Sequence, residues 1–268
     1  MKHIVFIGSG NMAGAMIRGM LASGAAKPEQ IVATGATGKH FAQLEALGVA
    51  TTRDNRAAAQ QADILVLAVK PHQYAAVAEE IREVTKPEAV LVPIAAGQSM
   101  AAVEELFGGN RKVVRVLPNT PAMVGQAMTA YCANCRVCPE ELAEVRRLLE
   151  SFGLAEQVPE TMMDAVTGVS GSSPAYVYLF LEALADGAVR EGMPRAQSYR
   201  FAAQAALGAA KMVLETGQHP GALKDAVCSP GGTTIEAVAK LEELGLRRAV
   251  LEAERACVEK SRAMANQK

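Results

Sequence analysis

The chain has 268 residues, half of them hydrophobic and 21% charged, which is enough for one large domain or two ordinary ones and far from a disordered composition. Its formal charge of -1 gives no general attraction to nucleic acid or to an anionic membrane, so any anionic ligand needs a local site. Tryptophan is absent and aromatics reach only 4%, which argues against a base-stacking surface.

No apolar run approaches the ~20 residues of a membrane helix. The opening Met1–Gly8 holds one short apolar run that ends in glycine, too short for a signal-peptide core, and it reads as a strand. A cytoplasmic protein is therefore expected. Five cysteines, an odd number in a chain this long, fit reduced thiols better than a disulfide framework.

In chain order, strands are predicted at His3–Ile7, Ile31–Thr34, Ile64–Val69, Ala89–Ile94 and Lys112–Leu117. Helical patterns lie between them at Met12–Ser23, Phe41–Leu47, Gln73–Val84 and Ala101–Phe107. Near-continuous apolar strands alternating with helices predict a mainly parallel, doubly wound α/β sheet of Rossmann type. Gln126–Tyr131 reads as an edge strand, and Pro139–Phe152 as a helix with Gly153 as its C-terminal cap. Beyond Thr161 the strand signal disappears. Pro174–Glu191, Pro194–Thr216, Thr233–Leu244 and Leu246–Asn266 read as helices, most of them rich in alanine and leucine. The expected domains are residues 1–158, nucleotide-binding, and 159–268, all-helical.

The first strand runs into Gly8-Ser9-Gly10-Asn11-Met12-Ala13, a G-x-G-x-x-A pattern. Gly8 allows the tight turn, Gly10 admits a pyrophosphate to the backbone, and Ala13 permits close helix packing. The phosphates then meet free N–H groups at the helix N-terminus. In isolation such a pattern is weak; following a strand and opening a helix, it points to a dinucleotide. NAD sites usually carry an acid about 20 residues on, but the second strand ends in Ala33-Thr34-Gly35-Ala36-Thr37-Gly38-Lys39 without one. Thr34, Thr37, Lys39 and His40 are candidates to hold a 2′-phosphate, although no arginine stands in that run. NADPH is the favoured cofactor, with NADH as an alternative. Ala68-Val69-Lys70-Pro71 and Ala95-Ala96-Gly97 end later strands, where ligands sit in open α/β sheets; they are equally consistent with ordinary loops.

In the helical half, Ser229-Pro230-Gly231-Gly232-Thr233-Thr234-Ile235 joins the end of one helix to the start of another. Free backbone donors at such a start suit a carboxylate; an N-cap with a flexible linker explains the same residues. The stretch Cys132-Ala-Asn-Cys135-Arg-Val-Cys138-Pro139 resembles part of a metal ligand run. A structural zinc needs four ligands and iron–sulfur clusters commonly need four cysteines, and only three stand here. No metal is expected, and the stretch reads as a connection into the helix at Pro139.

Five collinear segments, G-S-G-N-M-A (Gly8–Ala13), L-A-V-K-P (Leu67–Pro71), P-N-T-P (Pro118–Pro121), D-A-V-T-G-x-S-G-S-x-P-A-Y (Asp164–Tyr176) and S-P-G-G-T-T-I (Ser229–Ile235), resemble pyrroline-5-carboxylate reductase. The resemblance spans nearly the whole chain. It implies reduction of Δ1-pyrroline-5-carboxylate to L-proline by NADPH, and a helical domain that pairs into a homodimer or a ring of dimers. It also implies a substrate site of Glu160, Ser229, Gly231, Gly232, Thr233 and Thr234, with the Thr234 hydroxyl on the ring nitrogen as the catalytic contact. Ile7, Gly8, Ser9, Gly10, Asn11, Met12, Thr34, Ala36, Asn55, Val69, Lys70 and Ala96 would line the NADPH site. The chain departs from the usual pattern at Ser173, in place of a glycine, and at Ala226, in place of an asparagine. Competing readings are a hydroxyacid dehydrogenase or another imine reductase, and a cysteine-based metal or redox sensor. No nucleic-acid or membrane partner is expected.

Overall fold

The structure, a computed structural model, describes residues 2–265. It divides into two compact units. One is formed by the chain up to Ser172 together with the segment from Cys257, and the other by Ser173–Ala256. The helix expected to end at Asn266 reaches the limit of the described residues.

The first unit holds β1 (Ile4–Ile7), α1 (Asn11–Ala22), β2 (Ile31–Thr34), α2 (Phe41–Glu45), β3 (Ala50–Thr52), α3 (Asn55–Gln61), β4 (Ile64–Leu67) and α4 (Tyr74–Ile81). It continues with β5 (Val90–Pro93), α5 (Met100–Leu106), β6 (Lys112–Leu117), β7 (Ala127–Ala133), α6 (Pro139–Glu150), β8 (Gly153–Gln157) and α7 (Met163–Val166). One sheet has the order β3-β2-β1-β4-β5-β6-β7-β8. Every neighbouring pair is parallel except β6–β7.

Side chains two apart on a strand share a face, and the core divides accordingly. Ile4, Phe6, Ile64, Val66, Val90, Val92, Val114 and Val116 pack with Met16, Ile17 and Met20 of α1 and Val145, Leu148 and Leu149 of α6. Val5, Ile7, Leu65, Leu67, Leu91 and Val113 pack with Ala58 and Ala59 of α3, Ala78 and Ile81 of α4, and Val103 of α5. Burial on both faces explains why β1, β4 and β5 are apolar without alternation.

Strand order reverses between β1 and β4, which opens a crevice at their carboxyl ends. Two expectations are corrected. The 126–131 stretch is not an edge, because β7 has β6 on one side and β8 on the other. Gly153 does not cap α6, whose cap is Ser151; it starts β8 at φ +153°, and a Cβ there would lie 2.2 Å from the Ala127 carbonyl oxygen. The strand β3 and helix α3 go beyond the elements expected from sequence.

The second unit contains α8 (Ser173–Arg190), α9 (Arg195–Thr216), α10 (Pro220–Val227), α11 (Thr233–Glu243) and most of α12 (Leu246–Ala265). Helices α8 and α9 pack on each other. Pro194 caps α9, which Gly217 ends in the left-handed region at φ 63°, and Pro220 opens α10.

Candidate active site

The Gly8–Gly10 turn sits at the reversal of strand order. Gly8 has φ +109°, and a Cβ there would meet the Ala68 carbonyl oxygen at 2.6 Å, so only glycine fits between β1 and β4. Gly10 is the N-cap of α1 and makes no side-chain cap; the space where its Cβ would stand is open. Ser9 is buried while Gly10 and Asn11 are exposed, leaving backbone within reach of a ligand. Ser9, Gly10, Asn11 and Gly14 share a cleft with Arg18 and His40. An open helix start beside the Arg18 guanidinium fits a dinucleotide pyrophosphate.

Thr34, at the end of β2, is 1% exposed, and its Oγ1 accepts the Gly8 N–H at 3.3 Å. Its hydroxyl shapes the glycine turn. The following Gly35 lies against Ser9 and Phe41, where a Cβ would approach Ser9 Oγ to 2.5 Å. Ala36 and Thr37 are exposed. Asn55 opens α3 and donates from Nδ2 to Glu80 Oε2 at 2.8 Å.

Val69 and Lys70 follow β4, and Ala96 follows β5. Tyr74 ties these two strand ends together, a role its sequence did not reveal. Its hydroxyl donates to the Leu67 carbonyl at 2.8 Å and accepts the Ile94 and Ala95 N–H groups at 3.2 and 3.3 Å. Burial pushes its phenol well above the ordinary tyrosine range, against the effect of the two donors. An aromatic that opens a helix just after a K-P strand end was the only signal available.

Glu160 is placed by β6 and by the start of α5. Its Oε1 accepts the Met100 N–H at 2.7 Å and Arg115 Nη1 at 3.1 Å. Arg115 is 8% exposed, a buried cation paired with a partly exposed carboxylate. Asn119, in the P-N-T-P segment, accepts the Met128 N–H at 3.0 Å and donates to the Ser170 carbonyl at 3.1 Å. It thereby anchors the π-helical Thr167–Ser172 segment.

In the second unit, Gly231 has φ +66°, and Gly232 caps α11 without a side-chain hydrogen bond. A Cβ at Gly232 would lie 2.3 Å from Ser229 Oγ and would turn that hydroxyl away, whereas the left-handed backbone at Gly231 is what favours glycine in this turn. Thr233, Thr234 and Ile235 form the first turn of α11, where N–H groups have no helical acceptor. Ser229 and Thr233 are exposed and Thr234 is half-buried. Glu160 belongs to the first unit and Ser229–Thr234 to the second. Ser173 is the first residue of α8 and Ala226 lies near the end of α10.

Cys132 is buried on β7, Cys135 is exposed and Cys138 is the N-cap of α6. Burial, helped by the Glu160 carboxylate and opposed by Arg115, pushes the Cys132 thiol up to about 11. Among the described residues, no cluster of three or more His, Cys, Asp or Glu side chains is arranged to hold a metal ion. Nor is any helix among them long and apolar enough to cross a membrane.

A family model for pyrroline-5-carboxylate reductase dimerisation matches residues 160–264, and one for NADP oxidoreductase, coenzyme F420-dependent, matches residues 3–97. The pyrroline-5-carboxylate reductase of Escherichia coli (strain K12) is 51% identical over 261 residues, covering 97% of each chain. The crystal structure of the Plasmodium falciparum pyrroline carboxylate reductase with NADP bound superposes with a TM-score of 0.91 at 32% identity, covering 99% of this chain and 98% of that one. The corresponding Coxiella burnetii structure gives 0.92 at 34% identity and covers 99% of both chains. Identity at this level over nearly the full length shows that the chain belongs to the pyrroline-5-carboxylate reductase family.

Proposed function

We propose that the chain reduces the C=N bond of Δ1-pyrroline-5-carboxylate to L-proline, the final step of proline biosynthesis, with NADPH as donor and NADH as an alternative. The reading places the protein in the cytoplasm, as a homodimer or an assembly of dimers. Residues 1–158 are assigned to the cofactor, and 159–268 to the substrate and to dimerisation. The observation that carries the substrate assignment is the Ser229–Thr234 turn: a helix start without a side-chain cap, a left-handed Gly231 with open space around it, and exposed hydroxyls beside it.

The backbone N–H groups at the start of α11 bind the substrate carboxylate, aided by the helix dipole. Ser229, Gly231, Gly232 and Thr233 shape that cradle, and the Thr234 hydroxyl hydrogen-bonds the ring nitrogen. Glu160, fixed by Arg115 and the Met100 N–H, is a further ligand contact. On the cofactor side, Ile7, Gly8, Ser9, Gly10, Asn11 and Met12 hold the pyrophosphate. Thr34, Ala36 and Asn55 flank the adenosine ribose, and Val69, Lys70 and Ala96 line the remaining wall.

NADPH, when bound, supplies a hydride. The hydride adds to the imine carbon, the π pair of the C=N bond moves to nitrogen, and the nitrogen retains a proton. A protonated imine is a far better acceptor than a neutral one. A threonine hydroxyl is too weak an acid to protonate it outright, so Thr234 orients the nitrogen or relays a proton from water. The chain's remaining contribution is positioning.

The test is NADPH oxidation followed by absorbance, with pyrroline-5-carboxylate as substrate and L-proline identified as product. Thr234→Ala is expected to lower kcat/KM about 100-fold, with NADP⁺ binding unchanged and partial recovery in Thr234→Ser. Turnover of the alanine variant near the wild-type rate rules out the role given to Thr234.

A further inference from the structure

The turn after β2 lacks the acid of NAD sites and lacks an arginine of its own. We infer that Arg53, delivered from the loop after β3, is the residue that recognises the 2′-phosphate of NADPH and sets the cofactor preference. The assignment rests on the dinucleotide reading of the Gly8–Ala13 turn and extends it to a residue outside the five family-like segments.

Gly35 and Gly38 bracket the turn, and neither carries a side chain. Phe41 packs against both ends: Cβ positions built at Gly35 and Gly38 lie 3.2 Å from Phe41 Cε1 and 3.3 Å from Phe41 Cδ2. At the Gly35 end stands Ser9, from the glycine turn. At the Gly38 end stands the Arg53 guanidinium, with Nη2 3.4 Å from the built Cβ. The short strand β3, paired in parallel with β2 from Val32↔Ala50 to Thr34↔Thr52, carries Arg53 to this place. A residue 15 positions beyond Thr37–Gly38 in sequence thus becomes its neighbour in space.

Arg53 is exposed and makes no hydrogen bond or ion pair among the described residues. The carboxylate next to it in sequence, Asp54, is engaged elsewhere, capping α3 through the Ala57 N–H at 2.9 Å. Lys86, by contrast, is held by Asp63, and Lys112 by Glu141. A planar, unpaired guanidinium beside a turn bracketed by two glycines has the geometry for bidentate recognition of a phosphate. Of the two hydroxyls that the sequence offered for this task, Thr34 accepts the Gly8 N–H at 3.3 Å and Thr37 accepts the Lys39 N–H at 3.4 Å.

The test is Arg53→Gln in the full chain. Calorimetry with adenosine 2′,5′-bisphosphate and with 5′-AMP separates the 2′-phosphate from the rest of the adenosine site without turnover. The variant is expected to bind the bisphosphate about 10- to 100-fold more weakly, with 5′-AMP binding unchanged. KM for NADPH should rise in proportion while KM for NADH stays constant, and Arg53→Lys should fall between. Bisphosphate affinity within about twofold of wild type, or equal loss for both nucleotides, overturns the assignment. Absence of pyrroline-5-carboxylate reduction by the wild-type protein would instead remove the proposed reaction and leave the nucleotide comparison interpretable on its own.

Discussion

Tyr74 concentrates three hydrogen bonds at the point where the ends of β4 and β5 must stay apart by a fixed distance. Removing its hydroxyl leaves two part-buried backbone donors and the buried Leu67 carbonyl without that partner. An unsatisfied buried polar group costs about 1–3 kcal/mol. Tyr74→Phe should therefore lower the unfolding midpoint by several degrees, and it should weaken NADP⁺ binding through Ala68–Lys70 and Ala95–Gly97. Thermal unfolding and nucleotide titration of the same variant check both effects. At this scale the sequence was legible wherever a residue acts on its own backbone. Gly8 and Gly231 are readable because a close backbone approach at the first and a left-handed turn at the second favour glycine. Tyr74, Arg115 and Arg53 were not, because their roles arise from partners 21, 45 and about 15 residues away. A tyrosine hydroxyl or a guanidinium carries no periodicity that marks its partner.

Strands and helices repeat the lesson. β1, β4 and β5 announce themselves as apolar runs because both faces are buried. β3 and β8 do not: Ala50–Thr52 is three residues long and at most half-buried, and Gly153–Gln157 alternates exposed with half-buried positions. Edge strands covered on one side lose the pattern on which recognition depends. Gly153 misleads for a related reason, since a glycine after a helix is usually its cap, whereas here it makes room for the Ala127 carbonyl. The element ends also carry an electrostatic link. Asp63, just before β4, accepts the His3 N–H at 2.8 Å and pairs with Lys86 at 2.7 Å, joining the starts of β1 and β4 to the end of α4's connection. Burial alone would raise its carboxyl, but Lys86 and the His3 N–H outweigh that and hold it below the usual aspartate range. A carboxyl lowered on folding contributes stability that is complete above its unfolded value and is lost as pH falls through the folded one. The stability difference between wild type and Asp63→Asn should thus be present at neutral pH and shrink below about pH 4. Denaturant unfolding at a series of pH values reads this directly, and a difference that grows on acidification would contradict it.

The second unit is a set of long helices that bury little by themselves. Among its described residues only Ala185, Ser198 and Ala202 are buried, and α10 and α11 have no buried residue. Meanwhile Leu179, Phe201 and Leu214 are 68%, 60% and 72% exposed. Apolar exposure on this scale in a helical unit marks a surface that another chain covers. The match of residues 160–264 to a dimerisation model gives the same assignment from the sequence side. Covering one such side chain is worth about 1.5–3 kcal/mol, so several together decide whether the helices are stable at all. A symmetric interface would count each substitution twice, once on each chain. Leu179→Glu and Phe201→Glu should each shift the sedimenting species toward the single-chain mass. The wild-type unfolding midpoint should rise with protein concentration, as linkage to association requires, and the variants should lose that dependence. If both variants sediment as wild type does, the apolar faces of α8 and α9 are not the surface that joins the chains.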